Sequence, residues 1–405
     1  MVSGNAKGVQ CMTESFLFCL YLAVGLTSWL LTNSLFIQVP NFANVLPEGY
    51  EIASMMSVVI QISNLFALIY VACYKYAHLK DWIWVTIIQL LAIATAFGIA
   101  FGWDVVWGNY SVVLLFLAAL SGFVGCMSVV VFYPFAAKSS PFLTSAISLG
   151  MGLTGLVSSI LGILQTLLGF SVEAYFVMNA VILIFSFMSF GVVMLYNHWQ
   201  RKNSVPATLI DDSLTLESES PEEETINSDT PPLYNAIEPL SKESHMLCGV
   251  QCVNCFIYYL LLGVIPYSVN QFENDSELLS IMYIWGMVLG SVGRFLCTFA
   301  TFRTSSKPFM IICVTTQYIL GIYILLQCFF TFVSSTWIWT IILSYIIVNA
   351  VNGYEDTLLY QVAAIIQHDS RNIERITRYI GLSNQAGAFC GSILSFILIE
   401  LGAFG

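Results

Sequence analysis

The sequence predicts an all-α membrane protein with eleven transmembrane helices, and three observations support this class. Hydrophobic residues make up 58% of the 405 residues, whereas charged residues make up only 9%. Soluble domains carry about 25% charged residues. Eleven apolar stretches of roughly 18 to 25 residues follow one another, each long enough to cross about 30 Å of hydrocarbon as a helix. The basic residues also fall on alternate loops, as expected for a chain that crosses a bilayer repeatedly.

The predicted spans follow one another along the chain with short polar connections, apart from one long interruption after the sixth. Their approximate centres are Leu26, Phe66, Leu91, Phe116, Val157, Ile184, Leu260, Leu289, Ile319, Ile342 and Cys390. Because the first span is as long as the others and lacks a small-residue cleavage site, we interpret it as an anchoring helix.

The distribution of Lys and Arg predicts the orientation of the chain. If the amino terminus is cytoplasmic, every basic residue except Arg294 falls on a cytoplasmic loop, where positive charge is retained. Arg294 lies inside the eighth span. An odd number of spans then places the carboxyl terminus outside. The sequons at Asn109 and Asn274 both fall on predicted outside loops and are candidate glycosylation sites.

The long interruption divides the chain into two predicted bundles. Between residues 203 and 247 ten acidic residues stand against a single basic one, Lys242. This composition cannot bury enough apolar surface to fold. We therefore expect a six-helix bundle over 1–198, a disordered acidic cytoplasmic loop over 199–247 and a five-helix bundle over 248–405.

Catalytic and metal-binding patterns are missing from the sequence. All four histidines fall in predicted cytoplasmic loops, and no nucleophile-elbow, zinc-protease or phosphate-binding motif is present. We expect no enzymatic activity, no cofactor, no metal and no nucleic-acid partner. The expected partners are the lipid bilayer and a small solute.

Amide side chains recur inside the predicted spans. At 100° per residue, Trp29 and Asn33 share one helical face, and Gln61 and Asn64 share another. An unpaired amide in hydrocarbon costs several kcal/mol, so these faces should contact protein or water. Each amide alone is explained by helix packing, but five spans share the feature, which favours a common polar cavity. Amides beside Trp and Tyr suit a neutral, flat heterocycle.

Three charged residues lie within predicted spans near their cytoplasmic ends. Arg294 falls about 9 Å from the inner end of its helix, and Glu355 and Asp356 about 7 Å from theirs, at 1.5 Å per residue. Their similar depths suggest an inner gate. Alternatively, Arg294 extends to the inner surface and the two acids begin a cytoplasmic loop.

Two segments resemble the eukaryotic riboflavin transporters. The first combines a Ser28-Trp29 start and a downstream Asn, Gln and Pro with L-P-E-G at 46–49 and S-V-V-I-Q-I-S-N at 57–64. The second combines C-M-S-V-V-V-F-Y-P-F at 126–135 with a Gly-rich pattern at 150–155. The resemblance implies a two-half fold similar to equilibrative nucleoside and major facilitator transporters. It also implies sodium-independent riboflavin transport across the plasma membrane. The substrate-site candidates it implies are Trp29, Asn33, Gln38, Gln61, Asn64 and Gln385.

The chain departs from that family at several of these positions. Gln38 stands where the family has Glu, and Met151 replaces an acidic residue. A distant member is therefore indicated, moving riboflavin into the cell by alternating access. Two alternatives stay open: a carrier of another neutral heterocycle such as a nucleoside, and a multi-span membrane receptor that signals through the acidic loop.

Overall fold

A computed structural model describes residues 2–73, 80–137, 139, 141–203, 242–298, 306–366 and 370–404, and it is almost wholly helical there. Among the described residues, short 3-10 turns interrupt the helices at Gly49–Glu51, Ile265–Ser268 and Ser335–Trp337. The α-helices are α1 (Val2–Gly25), α2 (Leu30–Ile37), α3 (Val39–Val45), α4 (Ile52–Cys73), α5 (Asp81–Gly102), α6 (Val112–Ala137), α7 (Pro141–Leu168), α8 (Val172–Asn203), α9 (Lys242–Val264), α10 (Asp275–Thr298), α11 (Lys307–Phe330), α12 (Ile338–Ile366) and α13 (Ser370–Glu400).

The helices fit a multi-pass membrane protein. Within the described ranges, the nine helices α5 to α13 are long and apolar enough to cross a bilayer. Thr13–Gly25 and Leu30–Ile37 together form a tenth candidate, bent by 50°. Helix α4, with 22 residues, occupies the position of the second predicted span but is not among these candidates. The all-α membrane class is confirmed, and the count of eleven spans stays a prediction.

The predicted centre of the first span, Leu26, lies in a break and not within a continuous helix. Helix α1 ends at Gly25, and α2 begins at Leu30 on a different axis. A second interruption follows at Gln38, where α2 ends and α3 begins. Pro40 stands in the first turn of α3, where its missing N–H is tolerated. The first span is therefore a broken helix.

Helices of the first part of the chain pack mainly on one another, as do α9 to α13. Within the second part, α13 packs along α9 and α10 packs along α12. The two parts meet where α7 contacts α10 and where α4 contacts α13 and α9. Helix occupies both ends of the loop predicted over 199–247, because α8 continues to Asn203 and α9 begins at Lys242. Residues 204–241, most of the predicted acidic loop, lie outside the described residues.

Glycine allows the closest of these helix contacts. A Cβ atom on Gly387 of α13 would collide with the backbone carbonyl of Cys252 on α9, and one on Gly391 would collide with that of Phe256. Such backbone approach is how membrane helices gain van der Waals contact without a hydrophobic driving force. The α9–α13 pair therefore depends on having no side chain at these two positions.

This packing predicts that Gly387→Ala destabilises the protein. Overpacking of this kind costs about 1–3 kcal/mol, so the apparent Tm of the detergent-solubilised protein should fall by several degrees. Gly191→Ala on α8 is the matched control, because no atom lies within 4 Å of the Cβ that it adds. An equal loss of stability in both variants would contradict this role for Gly387.

Candidate functional site

The break between α1 and α2 is held in place by hydroxyl groups. The hydroxyls of Thr27 and Ser186 lie 2.7 Å apart, and Ser128 donates to Ser28 over 2.8 Å. The backbone N–H groups at 26–28 bond to carbonyls of the last turn of α1. Irregular backbone is tolerated at membrane depth when its polar groups are satisfied by protein in this way.

Three of the predicted substrate residues meet at the contact between the two parts of the chain. Asn64 on α4 donates hydrogen bonds to the side-chain carbonyls of Gln61 and of Gln385 on α13. The Cys126 thiol on α6 donates to the Asn64 carbonyl, and Tyr259 on α9 interacts with Gln61. These five side chains form what we call the amide cluster. It joins four helices, two from each part of the chain.

Trp29 and Asn33 form a second group beside the break. The Asn33 amide donates to the Thr154 hydroxyl on α7 over 3.0 Å. The Trp29 ring packs against α6 at Gly125, where a Cβ would lie 2.7 Å from the ring. A Cβ on Gly155 would lie 3.7 Å from the Asn33 amide nitrogen and 2.9 Å from the α10 hydroxyl of Ser291, so this group also borders the second part of the chain.

Gln38 lies in a third, separate group at the end of α2. It is fully buried and donates to the side-chain carbonyl of Gln165 over 2.5 Å. It also accepts a hydrogen bond from Asn41 over 2.7 Å. Its polar atoms are therefore occupied by protein partners from α7 and α3.

Sequence reasoning missed Tyr259 and Thr154. At 100° per residue Tyr258 shares a helical face with Gln251 and Asn254, whereas the side chain that contacts α4 is its neighbour. Helical periodicity does not show which face of a helix contacts a neighbouring helix. Which of the two tyrosines contacts α4 therefore depends on packing. In the structure the amides of the cluster bond to one another directly, and whether they bind a substrate stays a prediction.

The charged candidates lie within the second part of the chain. Arg294 Nε of α10 is 3.7 Å from Asp356 Oδ2 of α12. Gln251 and Asn384 donate to Asp356 Oδ1 over 2.7 and 3.2 Å. Glu355 is fully buried, and neither of its oxygens has a hydrogen-bond partner among the described residues. Arg294 thus pairs with one of the two predicted acids, and a gating role stays a prediction.

Across the residues that the structure describes, no three His, Cys, Asp or Glu side chains come together as a possible metal site.

At the other end of the bundle, the connection from α3 to α4 ties the two parts together. The Tyr50 hydroxyl donates to Asp275, and the Asn44 amide donates to Ser276 over 2.9 Å. Glu48 accepts hydrogen bonds from the backbone and the hydroxyl of Ser111, the latter over 2.9 Å. We call this the α3–α4 closure. These contacts close the bundle at this end.

The two sequons belong to the loops that contact the closure. Asn109 and Asn274 are both exposed there, each a short distance along the chain from a residue that the closure binds. Their shared position agrees with loops on one side of a membrane. Attachment of glycans stays a prediction.

Glu51 lies beside the closure among other acids. Burial, and then the nearby carboxylates of Glu400 and Glu48, raise the pKa of Glu51 above its ordinary value. Glu400 ends α13, so this repulsion acts between the two parts of the chain. A group whose pKa is raised on folding contributes stability that is present at low pH and is lost as the pH rises through the raised value.

The folded form should therefore gain stability at neutral pH when Glu51 cannot ionise. We expect Glu51→Gln to raise the apparent Tm at pH 7.5 and to change it much less at pH 4.5, which lies below the raised pKa of Glu51. Glu277→Gln, an exposed acid in the first turn of α10, is the control and should change neither value. An equal gain at both pH values would contradict the electrostatic explanation.

The amide cluster predicts energetic coupling between the two parts of the chain. Asn64→Ala and Gln385→Ala should each lower the apparent Tm, and the double variant should lower it by less than the sum. Contacting residues typically show interaction energies of about 0.5–3 kcal/mol. Asn64→Ala combined with Gln38→Ala is the control pair, because Gln38 belongs to another group, and its effects should add. Additive effects in both pairs would mean that Asn64 and Gln385 do not interact in solution.

Comparison with known proteins identifies the segment that carries most of these side chains. Residues 13–169 match the family model of solute carrier family 52, riboflavin transporter. This segment of the chain is similar to the riboflavin transporters. Riboflavin transporter rft-1 of Caenorhabditis elegans is 34% identical over 166 residues, which are 38% of this chain and 37% of that protein. Human solute carrier family 52, riboflavin transporter, member 3 is 30% identical over 158 residues, 37% and 34% of the two chains. The similarity thus covers about a third of the length of these relatives.

Solved structures extend the likeness in fold to nearly the whole chain. A D-xylose-proton symporter superposes with a TM-score of 0.60 over 95% of this chain and 89% of its own, at 11% sequence identity. The nucleoside transporter NupG superposes with a TM-score of 0.51 over 95% and 92%, also at 11% identity. At such identities the likeness concerns the fold alone. It confirms the predicted transporter-type helical architecture.

Proposed function

We propose that this protein carries riboflavin, or a closely similar neutral heterocycle, across the plasma membrane into the cell by alternating access. The observation that carries the proposal is the amide cluster. Gln61 and Asn64 belong to the segment that is similar to riboflavin transporters, and Gln385 reaches them from the other part of the chain. A ligand bound there would contact both moving parts of the fold.

The chemistry of the amide cluster suits such a ligand. A primary amide offers both donors and acceptors, which can pair with the imide and hydroxyl groups of riboflavin. The ring of Tyr259 can contact its flat ring system. In the present structure the amides satisfy one another, so a substrate would replace these bonds without leaving a buried polar group unpaired.

The α3–α4 closure supports alternating access. Hydrogen bonds from Tyr50 and Asn44 hold the two parts together at one end of the bundle. With the amino terminus cytoplasmic and the carboxyl terminus extracellular, this is the extracellular end. Gly155 and Gly162 lie on the face of α7 that contacts α10. Because these positions carry no side chain, the two helices approach closely and one part of the chain can move against the other.

Uptake of radiolabelled riboflavin into cells expressing the chain tests the function. Wild type should take up riboflavin above background with or without sodium. At low substrate concentration, Gln61→Ala and Asn64→Ala should each reduce uptake about 5- to 10-fold, because each removes a hydrogen bond worth about 1 kcal/mol or more. Gln200→Ala, an exposed amide near the end of α8, is the matched control and should behave as wild type.

The outcomes separate the function from the site. No wild-type uptake at normal surface expression would overturn riboflavin transport. Undiminished uptake in both site variants would leave transport standing and refute the amide cluster as its binding site. Inhibition by excess uridine, with weak inhibition by unlabelled riboflavin, would assign a nucleoside as the substrate.

A further inference from the structure

Arg294 and Asp356 form an ion pair that stays partly exposed within the apolar spans. Arg294 lies in the candidate span Asp275–Cys297, and Asp356 lies in Ser335–Ala363. Their side chains keep 36% and 23% of their surface exposed. Asp356 stands ten residues, from 356 to 366, before the end of α12, about 15 Å along the helix at 1.5 Å per residue. Charge at such a depth is tolerated where it faces water within the protein, so the pair marks a hydrated part of the interior.

The pair borders the first part of the chain. Gln251 of α9 and Asn384 of α13 donate to Asp356 Oδ1 over 2.7 and 3.2 Å. Arg294 Nε of α10 lies 3.7 Å from the other carboxylate oxygen. Three helices of the second part thus supply partners to Asp356, while Tyr133 of α6, in the first part, lies close enough to interact with it electrostatically. In transporters of two packed parts, substrate sites lie at this kind of contact.

Two helices connect the ion pair to the amide cluster. On α13, Asn384 donates to Asp356, and the next residue, Gln385, belongs to the cluster. On α9, Gln251 donates to Asp356, and Tyr259, eight residues further along the helix, belongs to the cluster. Eight residues of helix rise about 12 Å. The ion pair and the amide cluster are therefore two ends of one polar surface.

The adjacent acid, Glu355, does not belong to this surface. It is fully buried and lies near the thiols of Cys255 and Cys313. Consecutive residues of a helix point about 100° apart, so Asp356 faces the polar surface and Glu355 does not. The charged part of the surface is thus the Arg294–Asp356 pair, which is neutral as a whole.

A neutral ion pair of this kind favours hydroxyl groups as ligands. A hydroxyl donates to a carboxylate and accepts from a guanidinium N–H, so several hydroxyls can replace water on both partners. An ammonium or a phosphate group would be repelled by one partner and would leave a charge unbalanced. An apolar group would remove water from both charges without replacing its hydrogen bonds.

We propose that Arg294 and Asp356 bind the hydroxylated group of the substrate while the amide cluster binds its heterocyclic ring. The inference rests on the proposed transport function and divides the site between two groups of residues. Asp356 accepts hydrogen bonds from the hydroxyls, and Arg294 donates to them. The ligand class is a neutral heterocycle that carries a polyhydroxyl group, either an open chain, as in riboflavin, or the ribose ring of a nucleoside.

Competition against the uptake of radiolabelled riboflavin tests this division of the site. Three unlabelled competitors are compared in cells expressing the full chain: riboflavin, uridine and lumiflavin, which keeps the flavin ring system and has a methyl group in place of the hydroxylated chain. The readout is the ratio of the half-inhibitory concentrations of lumiflavin and riboflavin within each variant. This ratio does not depend on how much protein reaches the cell surface.

We expect Asp356→Asn to weaken inhibition by riboflavin about 10-fold, because a hydrogen bond to a charged group is worth about that factor or more. Inhibition by lumiflavin should be unchanged, since this ligand does not reach the ion pair, and the ratio should therefore fall about 10-fold. Asp356→Asn combined with Arg294→Gln should shift the ratio in the same direction. This double variant removes both charges together, so it tests the proposal even if the single variant fails to fold around an unpaired Arg294.

Two further variants serve as controls. Gln61→Ala, in the amide cluster, should weaken riboflavin and lumiflavin by the same factor and keep the wild-type ratio. Glu277→Gln changes an exposed acid at the start of α10 and should behave as wild type with every competitor.

The outcomes separate this subsite from the transport function. Absence of wild-type uptake would overturn riboflavin transport, and the subsite with it. A wild-type ratio in both Asp356→Asn and the double variant would overturn the subsite and leave transport intact, which is also the result expected if the ion pair only joins helices or acts as a gate. Stronger inhibition by uridine than by riboflavin, weakened in Asp356→Asn, would identify the polyhydroxyl group as ribose.

Discussion

The constraint on which this structure depends is that a polar group in hydrocarbon must find a partner within the protein. Asn64 shows the result, since its amide bonds to its own helix and to Gln385 on another, and its carbonyl accepts from Cys126. Such groups specify which helices meet and in which register.

The broken first span follows from the same constraint. A break frees backbone groups that a continuous helix would satisfy, so it persists only where neighbouring hydroxyls hold the turn, as Ser128 and Ser186 do here. The break also turns α2 so that Asn33 faces α7 near Ser291 of α10. Irregular backbone and the Asn33 amide thus lie beside the contact between the two parts of the chain.

Hydropathy and charge were enough to predict the helical membrane class, because these signals depend only on local composition. The contacts of the amide cluster were predictable in part. Gln61 and Asn64 share a face through helical periodicity, and that face does meet Gln385. Gln38, chosen with them by family resemblance, lies in a different group because the chain turns after α2. The contact of Tyr259 and the break at Leu26 could not be predicted in this way. They depend on how each helix is rotated and where it is interrupted when the helices pack, and sequence periodicity does not report either.

Glu355 and Asp356 lie at nearly the same distance from the end of α12 but have different surroundings. Their position along the helix therefore did not predict which contacts each one makes. They are consecutive in sequence and therefore point about 100° apart on the helix. One direction leads to the groups from α9, α10 and α13 that surround Asp356, and the other leads to the thiols near Glu355. Since Arg294 can neutralise only one charge, the second acid must be neutral to be buried.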